Sequence, residues 1–195
     1  MIGLYQVCGW AYGVFMSSGR THRVGPDSGR LILRTARRGL ASNVGHDLTV
    51  EVGRWSGEVL AADDPVASTV DVTAELATLR VLEGTGGVLP LSERDKRDIA
   101  RTARRLLDAD RRPHARFTSE RVSESGVITG KLTVRGATRP LELTVTELGA
   151  GRYRATGTVV QSEYGIAPYT AFFGALRLAD PVEVEAEVDL SGPVS

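Results

Sequence analysis

Residues 126–145 read GVITGKLTVRGATRPLELTV, and this stretch decides the fold class. Both of its halves alternate apolar with polar side chains, a period of two that places successive side chains on opposite faces of a sheet. The stretch therefore predicts two strands, each with one apolar and one polar face. Gly136 gives the turn its backbone freedom, and Pro140 marks the start of the second strand, where a missing N–H is tolerated. The apolar positions are Ile128, Leu132, Val134, Leu141, Leu143 and Val145.

Similar alternation recurs along most of the chain, and it supplies partners for the apolar face of the hairpin. We predict about eight strands, joined mostly by short turns. Antiparallel strands in this number close naturally into a barrel, because closure removes the exposed edges of the sheet. Besides the hairpin, the predicted strand segments are residues 30–35, 44–52, 55–60, 66–81, 117–122, 153–161 and 182–190.

One segment, from Ser92 to about Asp108, has the period of an α-helix. Ser92 is a favourable N-cap, and Glu93 and Asp95 occupy the first turn, where the helix dipole favours acidic residues. The helix must end before Pro113. We therefore predict an all-β fold, a single antiparallel β-barrel with one main α-helix. The apolar stripe of this helix is narrow and consists of Ile99, Ala103, Leu106 and Leu107.

Length and composition limit the class of protein. The 195 residues fit one domain that is large enough to bury a sizeable core. Basic and acidic residues number 24 each, so the global charge does not favour a nucleic acid or an anionic membrane as partner. The single Cys8 excludes an internal disulfide and a cysteine-based zinc site. No apolar run approaches the ~20 residues of a transmembrane helix.

The N-terminal residues are predicted to lie outside the folded domain. Residues 1–15 are apolar, but no basic residue precedes Arg20 and no small-residue cleavage site follows, so the pattern of a secretory signal is incomplete. We expect a natural start at Met16 and a cytoplasmic location, with a degenerate export signal as the alternative. We also expect a poorly ordered extension over residues 1–28 and a single β-barrel domain over residues 29–191.

Four features carry a resemblance to a known family. Residues 130–145 look like its central hairpin, and residues 112–119, RPHARFTS, look like its passage from helix to strand. Residues 162–166, SEYGI, look like its late aromatic-glycine motif, and the acidic last strand completes the match. The order and spacing of these features over roughly residues 30–190 make the chain resemble the YceI-like family, lipocalin-like proteins that bind polyisoprenoids and related lipids.

The resemblance implies an antiparallel, lipocalin-like barrel with a lipid-filled interior. Such a barrel is capped by the helix and loops and is often paired as a dimer. The resemblance also implies carriage or storage of an isoprenoid-type lipid, with no catalytic step and no cofactor besides that lipid. Two departures bear on the compartment and the ligand. Many members are exported, whereas this chain lacks a convincing signal, and its helix is unusually rich in arginine.

The apolar face of each strand either lines a ligand tunnel or fills a solid core. Periodicity alone favours the core, because side chains can fill an eight-stranded barrel completely. The resemblance favours the tunnel, with the aromatic loop before the last strand as its mouth, although such a loop is also typical of a core cap or a dimer contact. The predicted ligand-binding residues are Val44, His46, Leu48, Val70, Val72, Phe117, Ile128, Leu132, Leu143, Val145, Tyr164, Ile166, Tyr169, Phe172 and Phe173.

His46 has two interpretations of equal weight: it hydrogen-bonds a lipid headgroup, or it is a buried histidine satisfied by backbone. A rival hypothesis is an enzyme that uses His46 with Asp47 as an acid–base pair. Neighbouring strand residues point to opposite faces, which counts against that pair. The three histidines show no metal-ligand spacing, and His22 and His114 are expected to be exposed. A solid-core barrel that serves as an interaction module is the second rival.

Two charged segments are interpreted as solvated surfaces. Residues 92–116 carry nine basic and five acidic side chains, a net charge of +4. This segment could bind phosphate headgroups, but a helix face with internal charge pairs is favoured. The last strand carries five acidic residues between Asp180 and Asp189, and we assign them to a solvated outer face of the sheet.

Overall fold

The computed structural model describes residues 19–39 and 45–192, which form twelve β-strands and one α-helix. The all-β class and the single main helix are confirmed, but the predicted number of about eight strands is too low. The elements in chain order are β1 (Gly19–Val24), β2 (Gly29–Arg38), β3 (Asp47–Val52), β4 (Trp55–Ala62), β5 (Thr69–Glu75), β6 (Leu79–Thr85), α1 (Glu93–Leu106), β7 (His114–Val122), β8 (Val127–Val134), β9 (Ala137–Gly149), β10 (Arg152–Val160), β11 (Thr170–Ala171) and β12 (Leu176–Asp189).

All of these strands belong to one antiparallel sheet that curls around its core. The strand order is β1-β4-β5-β7-β8-β9-β10-β12-β2-β3-β6, and β11 pairs with β12. Val24 of β1 and Leu79 of β6 come from opposite ends of this order, yet they share one core cluster. Within the described residues no pairing links β1 to β6, so a curled half-barrel replaces the predicted closed barrel.

Helix α1 explains why the sheet does not need to close at β6. The helix packs against this edge strand, and Arg104 Nη2 donates a hydrogen bond to the backbone carbonyl of Leu79 over 2.6 Å. A helix that covers an edge strand protects it from unwanted pairing, as closure would. The edge that we expected another strand to cover is therefore covered by the helix.

The additional strands come from segments with weak or interrupted alternation. Residues 19–24, placed above in the N-terminal extension, form β1 and pair with β4. Their sequence, GRTHRV, has one apolar residue, but His22 turns inward with Val24 and is only 8% exposed, so its predicted exposure is wrong. His114 is exposed as predicted. A 3₁₀ turn at Leu76–Thr78 divides the predicted segment 66–81 into β5 and β6.

The hairpin of residues 126–145 is confirmed as β8 and β9. Val134 pairs with Ala137, and the two residues between them, Arg135 and Gly136, have φ values of 52° and 79°. Two consecutive positive φ values are typical of the type I′ turn, whose twist suits a two-residue hairpin. Pro140 lies four residues into β9 instead of at its start. Because β10 pairs with β9 only from Thr144 onward, Pro140 still occupies an edge position.

Helix α1 begins where the sequence predicted. The backbone N–H of Asp95 donates to Ser92 Oγ over 3.2 Å, and that of Ser92 donates to Asp95 Oδ2 over 3.0 Å. This reciprocal capping box holds the pKa of the Asp95 carboxyl below its usual value, mainly through the hydrogen bonds from Ser92. The helix ends at Leu106, and Asp108 adopts a left-handed conformation with φ 55°, close to the predicted end.

The acidic face of β12 is more than the solvated surface that was predicted. Glu187 accepts hydrogen bonds from Arg154 Nε over 2.9 Å and from Arg30 Nη2 over 3.1 Å. Glu185 accepts from Arg34 Nη2 over 3.0 Å. Because β12 lies between β10 and β2, arginines reach its carboxylates from both neighbours. The hydrogen bonds from Arg154 and Arg30 lower the pKa of the Glu187 carboxyl.

Candidate functional site

A cavity of about 1040 Å³ lies inside the curled sheet. Its walls come from the inner faces of β1 to β10 and β12, with α1 along one side. Most of the side chains that line it are apolar. An apolar, concave space of this size is the usual form of a binding site for a small molecule.

The β8–β9 hairpin shows how the sequence builds this wall. All six apolar positions identified in residues 126–145 line the cavity, while their polar neighbours lie on the other face. Lys131, for example, forms an ion pair with Glu120 on the outside of the sheet. The period of two therefore positions a continuous apolar surface inside.

Helix α1 supplies a second part of the wall. Ile99, Ala103 and Leu106 all line the cavity, together with Thr102 and Asp98. The predicted apolar stripe of the helix thus faces the interior. We predicted the stripe from its helical spacing but did not include it among the ligand-binding residues. The same spacing could have identified it as a wall, since a stripe on a covering helix must face what the helix covers.

Most of the predicted ligand-binding residues come together around the cavity. Val44 is outside the described residues, and so is the side chain of Phe172. Phe173 does not line the cavity; it is fully exposed and has a φ of 53°. Its backbone conformation turns the side chain to solvent, which the sequence pattern did not indicate. The predicted residues that line the cavity are His46, Leu48, Val70, Val72, Phe117, Ile128, Leu132, Leu143, Val145, Tyr164, Ile166 and Tyr169.

Three further strands contribute lining residues that the prediction left out. They belong to β2, β10 and β12, where the same alternation of apolar and polar residues was visible in the sequence. The prediction took its lining from β3, β5, β7, β8, β9 and the aromatic loop, although β10 pairs directly with β9 and the pattern of β12 was equally clear. The principal omitted residues are Leu31, Leu33, Ala155, Val159, Val182, Val184, Ala186 and Val188.

A few polar groups interrupt the apolar wall near the ends of β2 and β10. Thr35 pairs with Leu48 of β3 and Val182 of β12, and its Oγ1 is buried without a hydrogen-bond partner. The Nε2 of Gln161, just after β10, donates to the carbonyl of Ala179 over 2.9 Å. Its amide is thereby fixed in place at the cavity wall. Thr35 and Gln161 are thus two polar residues in a wall that is otherwise mostly apolar.

His46 and Tyr164 add two further polar groups to the lining. His46 Nε2 lies 2.8 Å from the carbonyl oxygen of Leu89, the backbone interaction that one of the two interpretations required. Asp47 instead accepts a hydrogen bond from the Arg37 amide over 2.7 Å. Tyr164 is buried, and burial, with a smaller contribution from Glu163, raises the pKa of its hydroxyl. Its phenol therefore stays neutral in the ordinary pH range.

Three of the nine basic side chains of residues 92–116 form ion pairs with acidic residues of helix α1. Asp98 lies 3.0 Å from Arg101 and 4.0 Å from Arg94, and Lys96 lies 2.8 Å from Glu93. These are the internal charge pairs that the sequence favoured for residues 92–116. In residues 19–39 and 45–192, no three His, Cys, Asp or Glu side chains are arranged to hold a metal ion.

The family model of the YceI-like domain matches residues 34–190 in sequence, which is most of the chain and nearly all of the sheet. The chain belongs to the YceI-like family. This family is known for binding polyisoprenoids, so the resemblance drawn from the sequence motifs is confirmed at the level of the family. Among curated proteins, none matches the chain in sequence.

One solved structure with the same fold is the crystal structure of Burkholderia cenocepacia BcnA. The two chains are 17% identical and superpose with a TM-score of 0.56, over 81% of this YceI-like chain and 94% of the other. At this identity the comparison supports the fold alone. In the described part of the YceI-like protein, no helix is long and apolar enough to cross a membrane.

Proposed function

We propose that this YceI-like protein binds an isoprenoid-type lipid, or a similar long apolar amphiphile, inside the curled sheet and carries or stores it without a catalytic step. The observation that supports this most strongly is the apolar cavity of about 1040 Å³. A solid-core barrel would have filled this space with its own side chains. Membership of a polyisoprenoid-binding family points in the same direction.

The size and chemistry of the cavity fit a long apolar chain. Binding sites for small molecules are typically about 300–1,000 Å³, so this one is at the upper end. Each CH₂ group that a tail buries contributes about 0.8 kcal/mol. A tail therefore binds through its length, with few polar contacts. Gln161 Nε2 already donates to two backbone carbonyls, so the unpartnered Thr35 hydroxyl is the group suited to hold a hydroxyl, carbonyl or phosphate at one end.

Native mass spectrometry of the gently purified protein tests this proposal. We expect an added mass that is released as one apolar species, and lipid analysis of that species identifies the cargo. A bare protein that also fails to bind an added long-chain quinone or polyprenyl alcohol would contradict the proposal. That result would favour the interaction module, the rival with no ligand in its interior.

The absence of catalysis is itself a proposal, and the enzyme hypothesis makes a different prediction for the same ligand. Incubation with a polyprenyl substrate should return that lipid unchanged, as chromatography can determine. Formation of a product that depends on His46 would instead support the enzyme. The Asp47 carboxylate is engaged by the Arg37 amide, which supports the carrier over an acid–base pair of His46 and Asp47.

We also propose an oligomeric state and a compartment for the protein. Family resemblance suggests a homodimer, which light scattering of the full chain can test. The cytoplasmic location, suggested above by the pattern of residues 1–15, is tested by fractionating cells that express the full chain.

A further inference from the structure

Exposed apolar side chains are concentrated at one end of the cavity. Val88 and Leu89, in the loop between β6 and α1, are 69% and 73% exposed, and Phe173 is fully exposed beside β11. With Tyr169 they make up four of the six large apolar side chains that are exposed in the described part of the chain. Exposed apolar groups that cluster in this way usually mark a surface that binds something.

The segments that carry these side chains adjoin one another at the cavity wall. Leu89 contacts His46, and the neighbouring Gly45 lies directly against the side chain of Leu176. Leu176 pairs with Ala171 of β11, two residues before Phe173. His46, Leu176 and Tyr169 all line the cavity. The exposed face is therefore continuous with the interior.

The conformation and exposure of Phe173 are both energetically unfavourable in the free protein. A bulky residue with a φ of 53° is strained, because left-handed backbone conformations disfavour large side chains. Its ring is also completely exposed, so the folded protein gains no hydrophobic stabilisation from it. Transfer of the ring into an apolar phase would offset this second disadvantage.

Two arginines of the same face lie directly opposite each other. Arg38 at the end of β2 pairs with Arg177 near the start of β12, and both side chains are exposed. Like charges in this arrangement repel, and neither arginine has an ion-pair partner in the described residues. Arg177 Nε donates to the carbonyl of Gly174 over 3.1 Å, which holds the guanidinium beside Phe173. A phosphate group bound by both arginines would remove the repulsion.

We propose that this docking face, composed of Val88, Leu89, Tyr169, Phe173, Arg38 and Arg177, binds to the surface of an anionic lipid bilayer and presents the cavity mouth to it. The proposal rests on the lipid-binding function proposed above and adds where the lipid enters. Projecting apolar tips beside unpaired basic residues are typical of surfaces that insert shallowly between anionic headgroups. The attraction to anionic lipid is local to this face, since the net charge of the whole chain is zero.

A second copy of the chain fits this face less well than a bilayer does. A two-fold symmetric contact uses the same patch on both subunits. It would bring the Arg38–Arg177 pair of each copy into one interface and add repulsion between the copies. An anionic bilayer supplies both an apolar phase for Phe173 and counter-charges for the arginines.

Vesicle co-sedimentation of the full chain tests the docking face. One set of vesicles contains phosphatidylcholine alone, and the other contains phosphatidylcholine mixed with phosphatidylglycerol. We expect stronger binding to the mixed vesicles, and weaker binding as salt is added. The double variant Leu89→Ser/Phe173→Ser should bind at least about tenfold more weakly, because two apolar side chains no longer insert. Arg38→Glu/Arg177→Glu should abolish the preference for phosphatidylglycerol.

Matched controls separate this face from the rest of the surface. Val66→Ser removes an apolar side chain that is 48% exposed in the turn between β4 and β5, and Arg121→Glu reverses an exposed charge on β7. Both should bind vesicles as the wild type does. Equal binding by the docking-face variants, or no binding by the wild type, would overturn the proposal. Loss of a dimer in the Phe173 variant would also overturn it, by assigning the face to a second copy.

The lipid content of the same samples distinguishes the two proposals. If the protein carries lipid but does not bind vesicles, the carrier function stands and the docking face is refuted. If the protein binds vesicles through this face but never takes up a lipid, the docking face stands and the carrier function is refuted.

Discussion

The Nε2 atom of His46 lies 2.8 Å from the carbonyl oxygen of Leu89, and this contact fastens the loop between β6 and α1 to the wall of the cavity. A carbonyl oxygen only accepts hydrogen bonds, so Nε2 carries the proton in this interaction. His46 thus links the interior of the sheet to the exposed loop at its mouth. Its position is explained by this bond, whether or not it also meets a ligand.

Removing the imidazole should free that loop. In His46→Ala, we expect faster hydrogen exchange of the amides in residues 86–91, because the loop loses its hydrogen bond to the wall, with little change in the strands. Hydrogen-exchange mass spectrometry measures this directly. His114→Ala is the matched control, since His114 is exposed on β7. Unchanged exchange of residues 86–91 in His46→Ala would show that the contact does not hold the loop.

The ion pairs of β12 should make stability depend on pH. Arg154 and Arg30 lower the pKa of the Glu187 carboxyl in the folded protein. The stabilisation is therefore complete above the unfolded-state pKa of about 4.3, and it is lost as the pH falls through the lower, folded-state value. At neutral pH, Glu187→Gln should lower the free energy of unfolding by about 1 kcal/mol, a small value because the pairs are partly exposed.

Urea unfolding of wild type and Glu187→Gln at a series of pH values measures this difference. It should be largest at neutral pH and vanish in acid, where the wild-type carboxyl is itself protonated. Glu142→Gln, at an exposed position on β9, is the matched control. A difference between wild type and Glu187→Gln that persists undiminished in strong acid would refute the electrostatic explanation.

The stability of the core cluster that joins β1 and β6 should depend strongly on Leu79. This side chain is 1% exposed and packs in the cluster that joins the two ends of the sheet. Leu79→Ala should lower the free energy of unfolding by about 2–5 kcal/mol, the usual loss for a buried leucine. Leu82→Ala, on the same strand but 39% exposed, is the control and should cost much less. Equal losses of unfolding free energy in the two variants would show that this cluster is loosely packed.

Gly130 allows β8 to approach β7 closely. A methyl group at this position would lie 2.4 Å from the carbonyl oxygen of Thr118 and 2.7 Å from the ring of Phe117. Gly130→Ala should therefore destabilise the protein by about 1–3 kcal/mol through overpacking. Gly192→Ala, where a methyl group would meet nothing within 4 Å, should be neutral in the same thermal melts. Neutral behaviour of Gly130→Ala would mean that Phe117 moves aside without cost.

Local patterns in the sequence were sufficient to predict those elements whose conformation depends on their own residues. The β8–β9 hairpin follows from strict alternation and a two-residue turn, and α1 follows from its cap at Ser92 and its apolar stripe. Much of the cavity wall follows as well, since the inward face of each strand is set by the same period. His46 was placed at that wall, although its partner Leu89 could not be inferred.

Features that depend on distant parts of the chain could not be predicted in this way. β1 is polar in sequence and is a strand because β4 pairs with it. Glu187 lies between Arg30 and Arg154 because of strand order, at separations of 157 and 33 residues. Phe173 points away from the cavity because of one left-handed residue, which alternation cannot reveal.

The claim that a lipid binds inside the cavity is tested most directly by measuring lipid binding to a variant with a blocked cavity. Leu132→Trp places a large side chain in the wall, whereas Thr144→Trp places the same side chain at an exposed position of the neighbouring strand. Each variant and the wild type are titrated with a polyprenyl alcohol and measured by native mass spectrometry, with circular dichroism as the check of folding. We expect folded Leu132→Trp to bind at least about tenfold more weakly, because the tail loses buried CH₂ groups, and Thr144→Trp to bind as the wild type does. Equal binding by all three proteins would place the lipid outside the cavity and contradict the account.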